Sequence, residues 1–189
     1  MVKLTYTNLA AALLLLFGSF QMAFAQERIE SVYSDLAPSK CKTLTTDRET
    51  GASTQRCPGI GGYKLLVHDD DARQSITVVT PNGKKHDLDF WDVVTHGFSS
   101  VGSKAEWRVS RNKRKLAPIA LIIRVNASED SENPNRKTSY LTVTKLTPEK
   151  ICVTHKIPQS ADANARARQA AYEARTAACL KDNPRNHTN

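Results

Sequence analysis

The hydrophobic positions follow three patterns along the chain. An uncharged apolar run covers about 9–20 and ends in Gln21-Met22-Ala23-Phe24-Ala25. From 41 to 157 the apolar residues come in short, β-branched clusters separated by polar turns, the signature of strands. From 160 to 180 alanine and arginine dominate and neither glycine nor proline occurs, the signature of a helix.

The middle part resolves into elements. In 26–37, Ile29, Val32, Tyr33 and Leu36 have roughly helical spacing, which predicts a short helix or an ordered arm ended by Pro38. Segments 41–45 and 52–57 read as two arms of a hairpin around the polar stretch 47–51. Pro58-Gly59-Ile60-Gly61-Gly62 interrupts regular structure. Strands are predicted at 63–67 and 74–80, with Asp69-Asp70-Asp71 as the turn between them. Pro81-Asn82-Gly83 is a turn, because proline presets the first corner and Asn-Gly tolerates positive φ; 86–90 pairs back from it.

After an irregular connector at 92–104, a short strand is expected at 105–110 and a basic turn at 111–115. The segment 118–125 holds Ile119, Leu121, Ile122 and Ile123 and reads as the central strand. A polar loop covers 126–137. Alternation at 140–144 predicts a half-buried strand, and 151–157 the last one, closed by Pro158. The helix is placed at 160–181, with Ser160 as N-cap and Asp162 in the first turn. Its inward face is taken as Ala161, Ala165, Tyr172, Thr176 and Cys179, with Arg168 at the edge. Strands first and a helix last predict an α+β fold: a mainly antiparallel β sheet with a C-terminal α-helix, stapled by disulfides.

The N-terminal run changes the compartment. Lys3 precedes it, and Ala23 and Ala25 occupy the −3 and −1 positions of a signal-peptidase site. The run is shorter than the roughly 20 apolar residues of a membrane span. The expectation is a signal peptide at 1–25, a single domain at 26–182 and a polar tail at 183–189. No second long apolar run follows, so no transmembrane segment is expected after cleavage. All four cysteines, Cys41, Cys57, Cys152 and Cys179, lie after the run. In an exported chain this even count predicts two disulfides, and a periplasmic or secreted, bacterial location. Three connectivities are open; Cys41–Cys57 with Cys152–Cys179 is favoured because each closes a local loop. A symmetric hairpin about Glu49 sets Cys41 opposite Cys57. The absence of a C-x-x-C pair argues against zinc.

The formal charge of +8 directs attention to anionic partners, an envelope component or an acidic protein; nucleic acid is not the expected one. The candidate surface is the cluster Arg108, Arg111, Lys113, Arg114 and Lys115, beside Trp107. The bland alternative is a solvated hairpin end whose charges guard the strands against edge pairing. An exposed aromatic pair among Phe90, Trp91 and Trp107 would mark a contact surface.

Other patterns are weaker. His68-Asp69-Asp70-Asp71 has metal-ligand residue types but lacks the spacing of a calcium loop. Gly59 to Lys64 lacks the spacing of a phosphate loop and precedes a strand. Gly97-Phe98-Ser99-Ser100-Val101 lacks the second glycine of a nucleophile elbow, and the histidines His68, His86, His96, His155 and His187 are scattered. No catalytic residues, metal site or cofactor are assigned.

One resemblance bears on origin. Tyr33-Ser34-Asp35-Leu36, Lys40-Cys41, Cys57-Pro58-Gly59, Gly62-Tyr63-Lys64 and Asp71-Ala72-Arg73 make the chain similar to a group of small exported bacterial proteins of unknown function. The shared features are an early cysteine pair, a glycine-tyrosine strand after the second cysteine, and a later Asp-x-Arg. The resemblance implies a bacterial envelope protein and transfers no activity. The functional expectation is a non-catalytic periplasmic or secreted binding protein with a basic surface. The alternatives are a small envelope hydrolase using one histidine, or an inhibitor of a wall-degrading or proteolytic enzyme presenting the loop 47–51.

Overall fold

The computed structural model describes residues 28–112, 115–133 and 135–182. The signal peptide expected at 1–25 and the tail expected at 183–189 lie outside the described residues.

The strands are β1 (Ile29–Asp35), β2 (Lys42–Thr46), β3 (Ser53–Pro58), β4 (Lys64–Asp70), β5 (Arg73–Val79), β6 (Lys85–Asp87), β7 (Ser99–Asn112), β8 (Lys115–Ala127), β9 (Thr138–Leu146) and β10 (Ile151–Pro158). The helices are α1 (Phe90–Val93) and α2 (Ala163–Glu173). The strands join one sheet in the order β10-β9-β8-β7-β5-β4-β3-β2, with β1 beside β7 and β6 beside β5. The sheet is mostly antiparallel but mixed, because β5 meets β7 in parallel at Arg73 and Ser99.

β7 explains this layout. At 14 residues it is long enough to take β1 along positions 104–110 and β5 at its start, on one edge. The two halves of the sheet thereby face each other. Leu65, Val67, Ile76 and Val78 from β4 and β5 form one core with Ala105, Trp107, Val109, Leu121, Ile123 and Val125 from β7 and β8. Trp107 is completely buried, and its indole N–H donates to Ser34 Oγ at 2.9 Å. The opposite face of β8–β10 presents Ala120, Ile122, Leu141, Val143 and Ile157 to α2. With apolar layers on both sides, β8 is continuously hydrophobic rather than alternating.

Several expected elements change. Among the described residues of this segment the arm is a strand and not a helix: 29–35 is β1, hydrogen-bonded into the sheet, because the exposed edge of β7 satisfies its backbone. β7 absorbs the end of the connector expected at 92–104. β4 runs through Asp70, leaving Asp71 and Ala72 as a two-residue turn, both at positive φ (49° and 56°). The strand expected at 86–90 stops at Asp87; Asp89 turns left-handed and buries Phe90 as the start of α1.

The C-terminal helix is shorter than 160–181, and its buried face is Ala163, Ala167, Ala170, Ala171 and Ala174. Ala161, Ala165, Tyr172 and Thr176 are exposed, correcting the expected face, of which Cys179 is buried. Small residues at this helical period let α2 lie close on the sheet. Ser160 is not the N-cap; Asp162 holds that position, and Ser160 Oγ donates to its carboxylate at 2.6 Å.

Both disulfides form as expected. Cys41–Cys57 closes the base of the β2–β3 hairpin with Cα atoms 4.3 Å apart, next to the Lys42–Arg56 pair. Cys152–Cys179 (Cα atoms 5.8 Å apart) ties β10 to the segment after α2.

Candidate functional site

The basic strip expected at 108–115 is not a single surface. Along β7, Trp107 and Val109 face the core, so Glu106 and Arg108 face the other way, where α2 covers them. Arg108 is only 6% exposed. Its guanidinium donates to Ser31 Oγ and to Tyr172 Oη (3.1 Å), and stacks 5.5 Å from the Tyr172 ring. Glu106 accepts from Ser31 (2.5 Å) and takes two bonds from Arg168 (2.7 and 3.3 Å). Arg108 is thus part of a buried network and cannot meet a macromolecular ligand. Arg111 is paired with Glu30, its Nε donating at 2.7 Å. Lys115 is exposed at the start of β8. Lys113 and Arg114 lie outside the described residues.

A different basic surface is assembled by register. In β2–β6 the row Cys57, Leu65, Val78 points to the core. The adjacent row, on the outer face, runs Lys42, Arg56, Leu66, Thr77, Asp87 across five strands. Two residues along the strands, Lys64, Val79 and Lys85 form a parallel row. Lys42, Arg56, Lys64 and Lys85 therefore share one face, and all four are exposed. Adjacent strands are about 4.8 Å apart, so the outer rows span roughly 19 Å. Among the described residues none of the four makes an ion pair. Lys42 and Arg56 stand directly opposite each other, an arrangement of like charges that costs stability. Leu66 and Thr77 at the centre are buried although they lie on the outer face. Long basic side chains cover such surface with their stems and keep their charged heads in water.

At the other end of this face a hydrogen-bonded chain crosses four strands. Thr54 Oγ1 lies 3.1 Å from His68 Nδ1, His68 Nε2 lies 2.7 Å from Thr77 Oγ1, and Thr77 donates to Asp87 Oδ1 at 2.5 Å. Burial holds the His68 pKa below its ordinary value; Asp87 opposes this and Lys85 adds to it. Beside Thr54 and His68 is an open cleft of about 610 Å³, bordered by Thr45, Asp47, Ser53, Asp69 and Asp70.

The remaining candidates find structural roles. His68 is turned along the sheet face and Asp71 pairs with Arg73, so the run 68–71 does not converge. Among the described residues no group of three His, Cys, Asp or Glu side chains could hold a metal ion. The glycines at 61 and 62 have positive φ; a Cβ at Gly61 would come within 2.8 Å of Pro118 Cδ, so Gly61 serves close packing against β8, while Gly62 lies against Pro81. Ser99 Oγ bonds the Gln74 carbonyl (3.5 Å) at the β5–β7 junction. His96 stacks 5.0 Å from Trp91, and His155 Nδ1 meets Thr154 Oγ1 at 3.0 Å. His187 lies outside the described residues. Trp91 and Phe98, each 47% exposed, enclose the Arg73 guanidinium at 5.1 and 4.7 Å. Phe90 and Trp107, in contrast, are core residues.

The outer basic face was missed because its four cations come from four strands and never cluster in the sequence. The signal available was the alternation within each strand, which becomes a surface only once register is known. Comparison with known proteins finds no matching family model, no matching curated protein and no matching solved structure.

Proposed function

We propose that this chain is a non-catalytic binding protein for an extended anionic polymer of the bacterial envelope, held on the outer face of β2–β6. The observation that carries the reading is Lys42, Arg56, Lys64 and Lys85 on one sheet face without ion-pair partners among the described residues, two of them in direct opposition. Fixed repulsion of this kind is relieved when an anion docks, so its cost to the free protein becomes a gain on binding. Asp87, the acidic residue in the same rows, is engaged by Thr77. A periplasmic or secreted location supports the choice of partner: two disulfides suit an oxidising compartment, and no helix among the described residues is long and apolar enough to cross a membrane.

The test is calorimetric binding of dextran sulfate and of lipopolysaccharide over a range of salt. Binding is expected to weaken steeply as salt rises, since each cation that contacts the polymer releases counterions. Reversing Lys42, Arg56, Lys64 and Lys85 to glutamate should abolish it, while reversing Arg111 and Lys115 should leave most of it. Equal loss from both sets would sink the assignment to this face.

The hydrolase reading is favoured by one observation, the chain Thr54–His68–Thr77–Asp87 beside a cleft. It requires Thr54 to act as nucleophile with His68 as base. Labelling of Thr54 by a fluorophosphonate probe, detected by mass spectrometry, would support it; an unlabelled protein would exclude that chemistry.

A further inference from the structure

The imidazole on the basic face has its tautomer dictated by its neighbours. A threonine hydroxyl carries one hydrogen. Thr77 gives it to Asp87 Oδ1, so Thr77 Oγ1 can only accept from His68 Nε2, which therefore carries a hydrogen. In the neutral ring Nδ1 is then bare and accepts the Thr54 hydroxyl hydrogen. Adding a proton at Nδ1 reverses this last bond: Nδ1–H donates to Thr54 Oγ1, and the Thr54 hydrogen swings out of the chain. The change needs only a hydroxyl rotation, with the strands unmoved. It adds a charge to the face and frees a donor at its surface.

The groups that bear on this proton come from every neighbouring strand. On its own strand are Leu66 and Asp70; β3 presents Thr54 and Arg56, β5 Ser75 and Thr77, and β6 Lys85 and Asp87, with Lys42 beyond on β2. Burial and Lys85 oppose the imidazolium, whereas Asp87 favours it, and the His68 pKa lies below its ordinary value. A polyanion seated on Lys42, Arg56, Lys64 and Lys85 brings negative charge beside the ring, which offsets Lys85 and acts in the same direction as Asp87.

We propose that His68 is the proton-linked recognition element of this face: docking of an anionic polymer draws a proton onto Nδ1 and turns the Thr54 hydroxyl outward to donate to the ligand. The proposal rests on the binding reading above and identifies what regulates that site, namely acidity. Binding and protonation are reciprocal, so whatever raises the affinity of His68 for a proton is matched by tighter binding in acid. One linked proton limits the gain to about tenfold per pH unit.

The experiment is calorimetry with dextran sulfate at mildly acidic pH, in two buffers of different ionisation enthalpy. The wild-type protein is expected to take up a proton on binding and to bind more tightly as pH falls. His68→Asn should bind without uptake and without the acid gain, His86→Asn should keep both, and Thr54→Val should lose part of the uptake and of the acid gain together, since the two are linked. Binding with no proton uptake, or with the same uptake in His68→Asn, overturns the proposal and leaves the basic-face reading standing. An absence of binding at any pH, even at low salt, overturns both. Should His68→Asn fail to fold, long-range ¹H–¹⁵N correlation on the wild type decides the point: a neutral ring carrying its hydrogen on Nδ1 refutes the proposed chain.

Discussion

Glu106 is the residue whose loss the fold should tolerate least. Its carboxylate sits beneath α2 between two arginines, with 11% of its side chain exposed, and the Arg108 side chain beside it is 7% exposed. Glu106→Gln keeps the shape, removes the charge, and leaves Arg108 nearly buried with no counterion. Breaking a buried ion pair from one side costs about 3–5 kcal/mol. Arg168 is 42% exposed and can turn to water, and Arg108 keeps Ser31 and Tyr172, which places the cost near the lower end, about 3 kcal/mol. Part of the reason it is not smaller is that Arg108 Nε is already buried without a partner, so the network has little slack.

The pH dependence has a definite sign. Burial disfavours the Glu106 carboxylate, but hydrogen bonds from Arg168 and Ser31 outweigh it and hold the pKa below the ordinary value. A depressed carboxylate contributes stability that is present above its unfolded pKa and lost as pH falls through the folded one. Urea unfolding followed by tryptophan fluorescence, at neutral pH and at acid pH, measures both effects. The wild type should lose stability in acid, and Glu106→Gln should be less stable at neutral pH with a shallower acid loss. A variant within about 0.5 kcal/mol of wild type at neutral pH, the range of ordinary surface substitutions, would refute the reasoning.

Two further outcomes follow from packing and cross-linking. Replacing Cys152 and Cys179 with alanine opens a loop of 27 residues and should cost about 3.5 kcal/mol by loop entropy. Hydrogen exchange should show the loosening confined to 174–182, because α2 is held by its alanine face and by Arg168–Glu106; melting of α2 itself would show that the disulfide carries the helix. Ala167→Leu places three extra carbons where the helix is completely buried against β8 and β9, and thermal denaturation should register a loss of about 1–3 kcal/mol. An unchanged melting temperature would mean that α2 is not closely packed on the sheet.

What the sequence determined by itself was local. The β2–β3 hairpin and its disulfide follow from turn chemistry and symmetric spacing, the strand at 118–125 from a run of branched residues, and the helix from a stretch without breakers. Each is set by interactions between residues close along the chain. The tertiary structure decided what depends on register and on which element covers which face. Ile29 to Asp35 became a strand because β7 offered an unfilled edge, although its local spacing suggested a helix. Arg108 belongs to the densest basic cluster in the sequence, yet alternation along β7 turns it under α2, where Glu106 and Arg168 await it. Lys42, Arg56, Lys64 and Lys85 are isolated in the sequence and become neighbours only because antiparallel pairing stacks every second residue of successive strands on one face. Alternation tells which residues of a strand share a side. Which strands lie next to it, and what covers that side, is settled only when the backbone has found its hydrogen-bond partners and the core has closed.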